Sequence, residues 1–255
     1  MKAVILAGGR GMRLNDETQV MPKPMIDIGG KPILWHIMKV YAHYGICDFI
    51  VCCGYKGYLI KEYFDNYVLH NSDVTFDLAS NKMQIHQQNA ETWRVTLVDT
   101  GEQAMTGARL LAIKRYLTDG TFCMTYGDGV CNLDISATIQ HHLSSGLLAT
   151  VTAVHPPARF GSIRASENKV SQFNEKCDDS GWINGGFFIL EPHVFDYVPK
   201  LDVMWEREPL ENLAKSGQLG IFKHTGFWQC MDTARDKILL EELWRSGAAP
   251  WKIWA

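Results

Sequence analysis

Short apolar runs alternate along the first half of the chain with stretches in which apolar side chains recur at helical spacing. Residues 3–6 form an apolar run that opens into a glycine-rich segment, the pattern of a buried strand followed by a tight turn. Across 31–44 the apolar positions are Ile33, Leu34, Ile37, Met38, Tyr41 and Tyr44, which predicts a helix, with Gly45 placed as its stop. A buried strand over 49–53 ends at Gly54, residues 59–67 read as helix and 95–98 as strand. A helix over 107–117, a strand over 121–125, a helix over 135–144 and a strand over 149–154 complete this half. Strands alternating with helices imply βαβ units and a mostly parallel sheet.

The second half changes character. Residues 160–165, 170–173 and 182–190 read as strands punctuated by glycine with little helix between them, followed by amphipathic helices over 206–216 and 234–246. The expected fold is therefore α/β: a mostly parallel central sheet flanked by helices, with a smaller mixed or antiparallel extension. No linker, repeat or low-complexity segment interrupts the 255 residues, so a single domain over 1–255 is expected.

Composition adds limits. With 46% hydrophobic and 21% charged residues the chain is of ordinary globular type, which argues against disorder. A net charge of -3 supplies no basic field, so nucleic acid is not an expected partner, and any anionic ligand must be held by locally placed Lys, Arg and backbone N–H groups. No apolar stretch approaches the roughly 18 residues of a membrane span, and the first residues lack a secretory apolar region. The seven cysteines are scattered without metal-type pairs, and Cys52 and Cys53, adjacent in a strand, point to opposite faces. A cytoplasmic location follows as the expectation.

Seven segments carry candidate chemistry. In LAGGRGMRL, Leu6 to Leu14, glycines let the backbone approach phosphate oxygens closely, and Arg10 and Arg13 add charge suited to them. The segment is not a Walker loop, because Gly11-Met12-Arg13 stands where Gly-Lys-Ser/Thr is needed. It is not the dinucleotide fingerprint either, because Leu14 stands at the third glycine. Lys23 sits between Pro22 and Pro24, each of which restricts its neighbours, and this holds a lysine rigidly on a loop. Asp128, between Gly127 and Gly129 at the end of a predicted parallel strand, lies where open α/β sheets bind ligands, and a carboxylate there suits Mg²⁺. Asp232 is the second metal candidate, with helix capping as its simpler explanation. Thr106 and Arg109 open a helix that could meet a base or phosphate, or be an ordinary capped start. Glu175 and Lys176 follow a predicted strand. Asn184, Gly185 and Gly186 lie inside another, where glycine marks a bulge or a close backbone approach.

Together with GGKPILWHIM, MPKPM, the YGDG turn, NGGFF and MDT, these segments resemble the sugar-1-phosphate nucleotidyltransferases over essentially the whole chain. Further stretches, CCGYKGYLIKEYF, SDVTF, LVDTG, WINGGFFILEP, WEREPL and the closing APWK, are similar to the branch of that family that joins CTP to glucose 1-phosphate. The resemblance implies a Rossmann-like nucleotidyltransferase fold, with a nucleotide-binding part over about 1–130 and a sugar-phosphate-binding part over about 131–255. It also implies Mg²⁺, a trimer-based or hexameric homo-oligomer and a place in making CDP-linked deoxysugars for surface glycans such as lipopolysaccharide O-antigen. By the family pattern, backbone around Leu6, Ala7, Gly8 and Gly9 reads the cytosine, while Arg10, Gly11, Met12 and Arg13 wrap the triphosphate. Thr106, Arg109 and Gly127 complete the nucleotide site. Gly129, Glu175, Lys176, Asn184 and Gly185 hold the sugar phosphate. Arg13 and Lys23 offset charge in the reaction, and Asp128 and Asp232 carry the metal.

Three positions depart from that pattern: Met12 replaces a Thr in the loop, and Cys177 and Cys230 replace prolines. Two other readings remain open at this stage: a sister enzyme using dTTP, UTP or GTP, and a non-catalytic nucleotide-binding paralogue, which Met12 makes conceivable.

Overall fold

Seven strands make the central sheet of the computed structural model, which describes residues 1–11, 15–118, 120–156, 162–166, 169–174, 181–199 and 203–254. In chain order they are β1 (Lys2–Leu6), β2 (Asp48–Cys53), β3 (Arg94–Asp99), β4 (Phe122–Tyr126), β5 (Ala149–Val154), β6 (Ile183–Leu190) and β7 (Leu219–His224). Their spatial order is β7-β5-β6-β4-β1-β2-β3. β1 pairs in parallel with both β2 and β4, β2 with β3, and β5 with β7, whereas β6 runs antiparallel to both β4 and β5. The expected antiparallel component is thus inserted into the sheet itself.

Strand alternation explains the two cores. Ala3, Ile5, Phe49, Val51 and Cys53 enter one cluster, Val4, Leu6, Ile50 and Cys52 the other, so successive residues face opposite sides of the sheet. Cys52 and Cys53 fall on opposite faces, as the strand reading requires. Helix α1 (Ile33–His43) seals the first face with Ile33, Leu34, Ile37 and Tyr41, and ends with Gly45 at φ +78°. Each large apolar side chain fully buried here contributes about 1.5–3 kcal/mol relative to exposure. Helix α2 (Gly57–Asp65) follows β2. Helix α3 (Thr106–Ala112) packs on the second face with Leu110, but ends earlier than the sequence pattern suggests and gives way to a 3₁₀ turn over Lys114–Tyr116. Helix α4 (Ile135–Ser145) is capped by Asp134, which accepts from the Ala137 amide at 2.8 Å. Helices α5 (Glu208–Lys215) and α6 (Ala234–Arg245) complete the chain.

The sequence pattern passed over the hairpin Ser72–Asp77 and Lys82–Gln88 and the two-stranded ribbon that Gly129–Cys131 makes with Trp228–Cys230. The ribbon matters, because it ties the segment after β4 to the segment before α6.

β1 and β4 are neighbours although two βα units separate them in sequence, so the chain turns to opposite sides of β1 on leaving it and on returning. Ligands bind at such a switch point, outside the carboxyl ends of the strands. The glycine-rich segment leaves β1 there and Gly127-Asp128 leaves β4. No helix among the described residues is long and apolar enough to cross a membrane.

Candidate active site

Lys23 lies in a 3₁₀ turn, Lys23–Met25, with the flanking Pro22 extended and Pro24 within the turn. The local rigidity expected from the two prolines delivers the side chain to one place. It is 8% exposed overall, and its Nζ lies 2.6 Å from Asp128 Oδ2 and 2.6 Å from Asp232 Oδ1. Burial pulls the Lys23 pKa down, but the charges and hydrogen bonds of Asp128 and Asp232 outweigh it and the net direction is upward, so the ammonium stays charged. Two carboxylates and one ammonium leave the cluster with a net negative charge at its open side.

The two aspartates are brought together by backbone. The Met231 amide donates to the Asp128 carbonyl at 2.8 Å, and the Cys230–Gly129 pairing of the ribbon fixes the register next to it. Helix capping does not explain Asp232. The cap of α6 is Thr233, whose side chain accepts from the Asp236 amide while Asp236 reaches back to the Thr233 amide at 2.8 Å. Asp232 therefore points into the cluster for another reason.

Two clefts meet at this cluster. The larger, about 430 Å³, is lined by Leu6, Ala7, Gly8, Gly9 and Gly11 on one side and Met105, Thr106, Arg109, Met204 and Glu206 on the other, with Lys23, Gly127 and Asp128 at one end. The smaller, about 200 Å³, is lined by Asp128, Gly129, Asn184, Gly185, Trp228 and Asp232 among others, and Tyr126 and Asp128 line both. The larger cleft presents loop backbone and the apolar Met105 and Met204, which suit a planar base, together with the charged Lys23, Arg109, Asp128 and Glu206. The smaller is lined by the polar Asp128, Asn184 and Asp232 beside Trp228.

The glycine-rich segment is fixed from beneath. Arg109, 4% exposed, donates to the carbonyl oxygens of Gly8 at 2.9 Å and Gly101 at 2.7 Å and to Thr100 Oγ1 at 2.8 Å. It lines the cleft but spends its donors on the protein. A side chain at Gly8 or Gly54 would collide with this guanidinium, and Gly11, at φ +61°, has Lys23 Cβ 3.0 Å from where its own Cβ would stand. Gly127 closes the opposite wall with its amide 3.0 Å from the Leu6 carbonyl.

Most of the expected site residues are thus drawn together: Leu6, Ala7, Gly8, Gly9, Gly11, Lys23, Thr106, Arg109, Gly127 and Asp128 around the larger cleft, and Gly129, Asn184, Gly185 and Asp232 around the smaller. Arg10 is not. It is turned outward in an ion pair with Glu102, 2.7 Å long and half-exposed at both ends, of the sort that contributes about 0–1 kcal/mol. Met12, Arg13, Glu175, Lys176 and Cys177 lie outside the described residues. The bulge expected from Asn184-Gly185-Gly186 is present: register between β5 and β6 shifts there, and Gly186 takes φ +79° against the Tyr126 ring.

Sequence reading missed Tyr126, Met204, Glu206 and Trp228 as lining residues. Trp228 packs against the core and also lines the smaller cleft, donating from Nε1 to the Gly185 carbonyl at 2.7 Å. Tyr126 stands directly before Gly127-Asp128, so its position was the available signal. Met204 and Glu206 arrive from a distant segment; WEREPL, which holds Glu206, carried the family resemblance without marking it as a site residue.

With this geometry in place, comparison with known proteins is informative. Residues 2–216 match the nucleotidyl transferase family, and the chain belongs to that family. It is 58% identical over 256 residues to the glucose-1-phosphate cytidylyltransferase of Salmonella typhi, with all of both chains covered. It is also 45% identical over 255 residues, again with full coverage, to the probable glucose-1-phosphate cytidylyltransferase of Bacillus subtilis. Among solved structures it is similar to HddC from Yersinia pseudotuberculosis, with a TM-score of 0.70 and 25% identity over 95% of this chain and 99% of that one.

Proposed function

We propose that the chain transfers the cytidylyl group of CTP to α-D-glucose 1-phosphate, giving CDP-glucose and diphosphate. The observation that carries the chemistry is the Asp128–Lys23–Asp232 cluster at the junction of two clefts, one suited to a nucleotide and one to a smaller polar ligand. Full-length identity of 58% to the Salmonella typhi protein supports cytidine and glucose as the identities of the two ligands.

In this reading the base lies between the glycine segment and Met105, and the triphosphate runs towards Lys23. The sugar phosphate enters the smaller cleft beside Asn184 and Trp228. An already anionic phosphate oxygen of the sugar phosphate attacks the α-phosphorus of CTP, a new P–O bond forms, and the bond to the β-phosphate breaks to release diphosphate. No protein nucleophile or general base is required. The chain's part is to position both ligands and to offset charge as it shifts to the leaving group, with Lys23 nearest that event.

The carboxylates fit a divalent cation. Asp128 and Asp232 present hard oxygen atoms, and the Lys23 ammonium held 2.6 Å from one oxygen of each supports a site that gathers positive charge, with the second Asp128 oxygen available to a cation. Mg²⁺ held there with phosphate oxygens would supply neutralisation of the triphosphate. The wider assignments rest on the family resemblance read in the sequence: a homo-oligomer that feeds CDP-linked sugar synthesis.

A nucleotide panel with glucose 1-phosphate, read by diphosphate release, tests the proposal. CTP should exceed UTP, dTTP and GTP by at least about 10-fold in kcat/KM, one hydrogen-bonded contact's discrimination. Preference for another nucleotide would assign the chain to a sister activity, and no turnover with any of them would leave only nucleotide binding.

A further inference from the structure

We infer that Tyr55 and Lys56, at the turn between β2 and α2, are positioning residues for Lys23. Their side chains hold the end of the short helix Asn15–Val20, three residues before the ammonium that faces the two aspartates. The part given to Lys23 rests on the function proposed above.

A helix leaves its last carbonyl groups without partners of its own, and here a neighbouring element supplies them. Tyr55 Oη donates to the Thr18 carbonyl at 3.1 Å, and Lys56 Nζ donates to the carbonyls of Gln19 and Val20, the second at 3.1 Å. The helix dipole also favours a cation at that end. A helix of six residues has little stability of its own, so these contacts decide where it ends. From Val20 the chain reaches Lys23 through Met21 and Pro22, and the fixed φ of the proline leaves little slack between them. Thr18 gives a second path. It is 4% exposed, and a Cβ at Gly11 would lie 3.1 Å from Thr18 Cγ2 and 3.0 Å from Lys23 Cβ, so these three residues pack together.

The backbone of Lys56 points the same way. It takes φ +47° and ψ +32°, the left-handed region that residues other than glycine seldom occupy. The turn itself needs only that backbone: the Gly57 amide donates to the Gly54 carbonyl at 2.9 Å and the Leu59 amide to the Lys56 carbonyl at 3.0 Å. Glycine or asparagine would make the turn with less strain, so turn geometry does not account for a lysine, whereas the contacts of its ammonium do. The same dipeptide holds the glycine segment by its main chain, because the Tyr55 amide donates to the Gly8 carbonyl at 3.1 Å. One turn thus references the glycine segment through backbone and the Lys23 segment through side chains. Side-chain substitutions at 55 and 56 therefore act on the second and spare the first.

Lys56→Gly is the direct test, because glycine accepts the left-handed backbone and only the side chain is lost. The expected result is a fall in kcat of about 3- to 10-fold, less than the roughly 10²-fold that a misplacement of about 1 Å can cost, with KM for glucose 1-phosphate changed less than about twofold. Tyr55→Phe, which keeps the ring, should lower kcat in the same way. Lys56→Arg, which keeps charge and donors, should stay within about twofold of wild type. Combined with Lys23→Met, Lys56→Gly should have no further effect on kcat, since a residue that acts through another does not add to its loss. An unchanged kcat in Lys56→Gly, or additive losses with Lys23→Met, would overturn the inference. Hydrogen exchange separates it from the proposed function. The Met25 amide donates to the Pro22 carbonyl at 2.8 Å and the Ile26 amide to the Lys23 carbonyl at 3.1 Å, and both report on the turn that carries Lys23. In Lys56→Gly these two amides should exchange at least about 5-fold faster while those of β1 are unchanged. That result, with no diphosphate released from CTP by the wild type, would retire the proposed function and leave the positioning of Lys23 intact. Unchanged exchange in the turn, or an equal rise in β1, would overturn the positioning whatever the activity.

Discussion

The Nη2 atom of Arg109 lies 2.9 Å from the carbonyl oxygen of Gly8, joining the start of α3 to the glycine segment across 101 residues of sequence. Since the same guanidinium holds Thr100 and Gly101, the edge of β3 and the loop after β1 are set relative to each other by one buried cation.

A methyl group at Gly8 would stand 2.1 Å from Arg109 Nη1, so Gly8→Ala must displace the guanidinium. We expect a stability loss of about 1–3 kcal/mol, the usual effect of forcing atoms into a filled space, and a KM for CTP raised at least about 10-fold. Thermal unfolding and initial rates measure these, and a variant indistinguishable from wild type in both would show that the contact does not organise the loop.

Lys23→Met keeps the length and packing of the stem and removes the charge. The expected outcome is a fall in kcat of about 10²- to 10³-fold, the size of a lost charge-stabilising contact in the transition state. If kcat stays within about threefold of wild type, the ammonium between the aspartates is a structural tie only.

Asp128→Asn and Asp232→Asn address the cation. Diphosphate release should be abolished by a chelator and restored by Mg²⁺, and each variant should need a higher Mg²⁺ concentration for half-maximal rate, because each withdraws an anionic oxygen from a hard cation. Full activity in the presence of chelator would rule out the metal assignment.

His36 gives a pH signature remote from the clefts. It is fully buried among Trp35, Trp244 and Trp251, with Nε2 against the Ile28 carbonyl at 2.8 Å and Nδ1 receiving Trp251 Nε1–H at 3.4 Å, so the ring is the neutral tautomer protonated at Nε2. Burial holds its pKa down, at about 4 rather than 6.5, against weaker opposition from backbone hydrogen bonds. The unfolded chain takes up the proton first, so this contribution is complete above pH 6.5 and is lost as pH falls towards 4, by roughly 3 kcal/mol. Chemical denaturation between pH 7 and pH 4 should show this loss, and His36→Gln should flatten it. A stability profile unaltered by the substitution would dissociate acid sensitivity from His36.

The strands and most helices were legible in the sequence, because burial on both faces writes continuous apolar runs such as 49–53 and one-sided burial writes the spacing of Ile33, Leu34 and Ile37. The clefts were half legible. Glycines and prolines mark backbone that must approach something, which is how Gly8, Gly11, Lys23 and Asp128 announced themselves. Tyr126, Trp228 and Glu206 did not, since a buried-looking aromatic or a surface-looking glutamate reads the same whether or not a ligand lies beside it. Arg10 is a different case: charge next to a phosphate-type loop does not fix direction, and here Arg10 is paired with the exposed Glu102. The ribbon between Gly129–Cys131 and Trp228–Cys230 is invisible for another reason, because its partners are about a hundred residues apart and each is only three residues long.

Because β6 runs against its neighbours, it enters the site edge at its beginning, with Asn184 and Gly186 beside the end of β4. The smaller cleft therefore joins chain that leaves the parallel strand β4, at Asp128 and Gly129, to chain that opens the opposed strand β6, at Asn184 and Gly185. On the proposed function, changes at the start of β6 are expected to alter the smaller cleft while leaving the glycine segment after β1 in place.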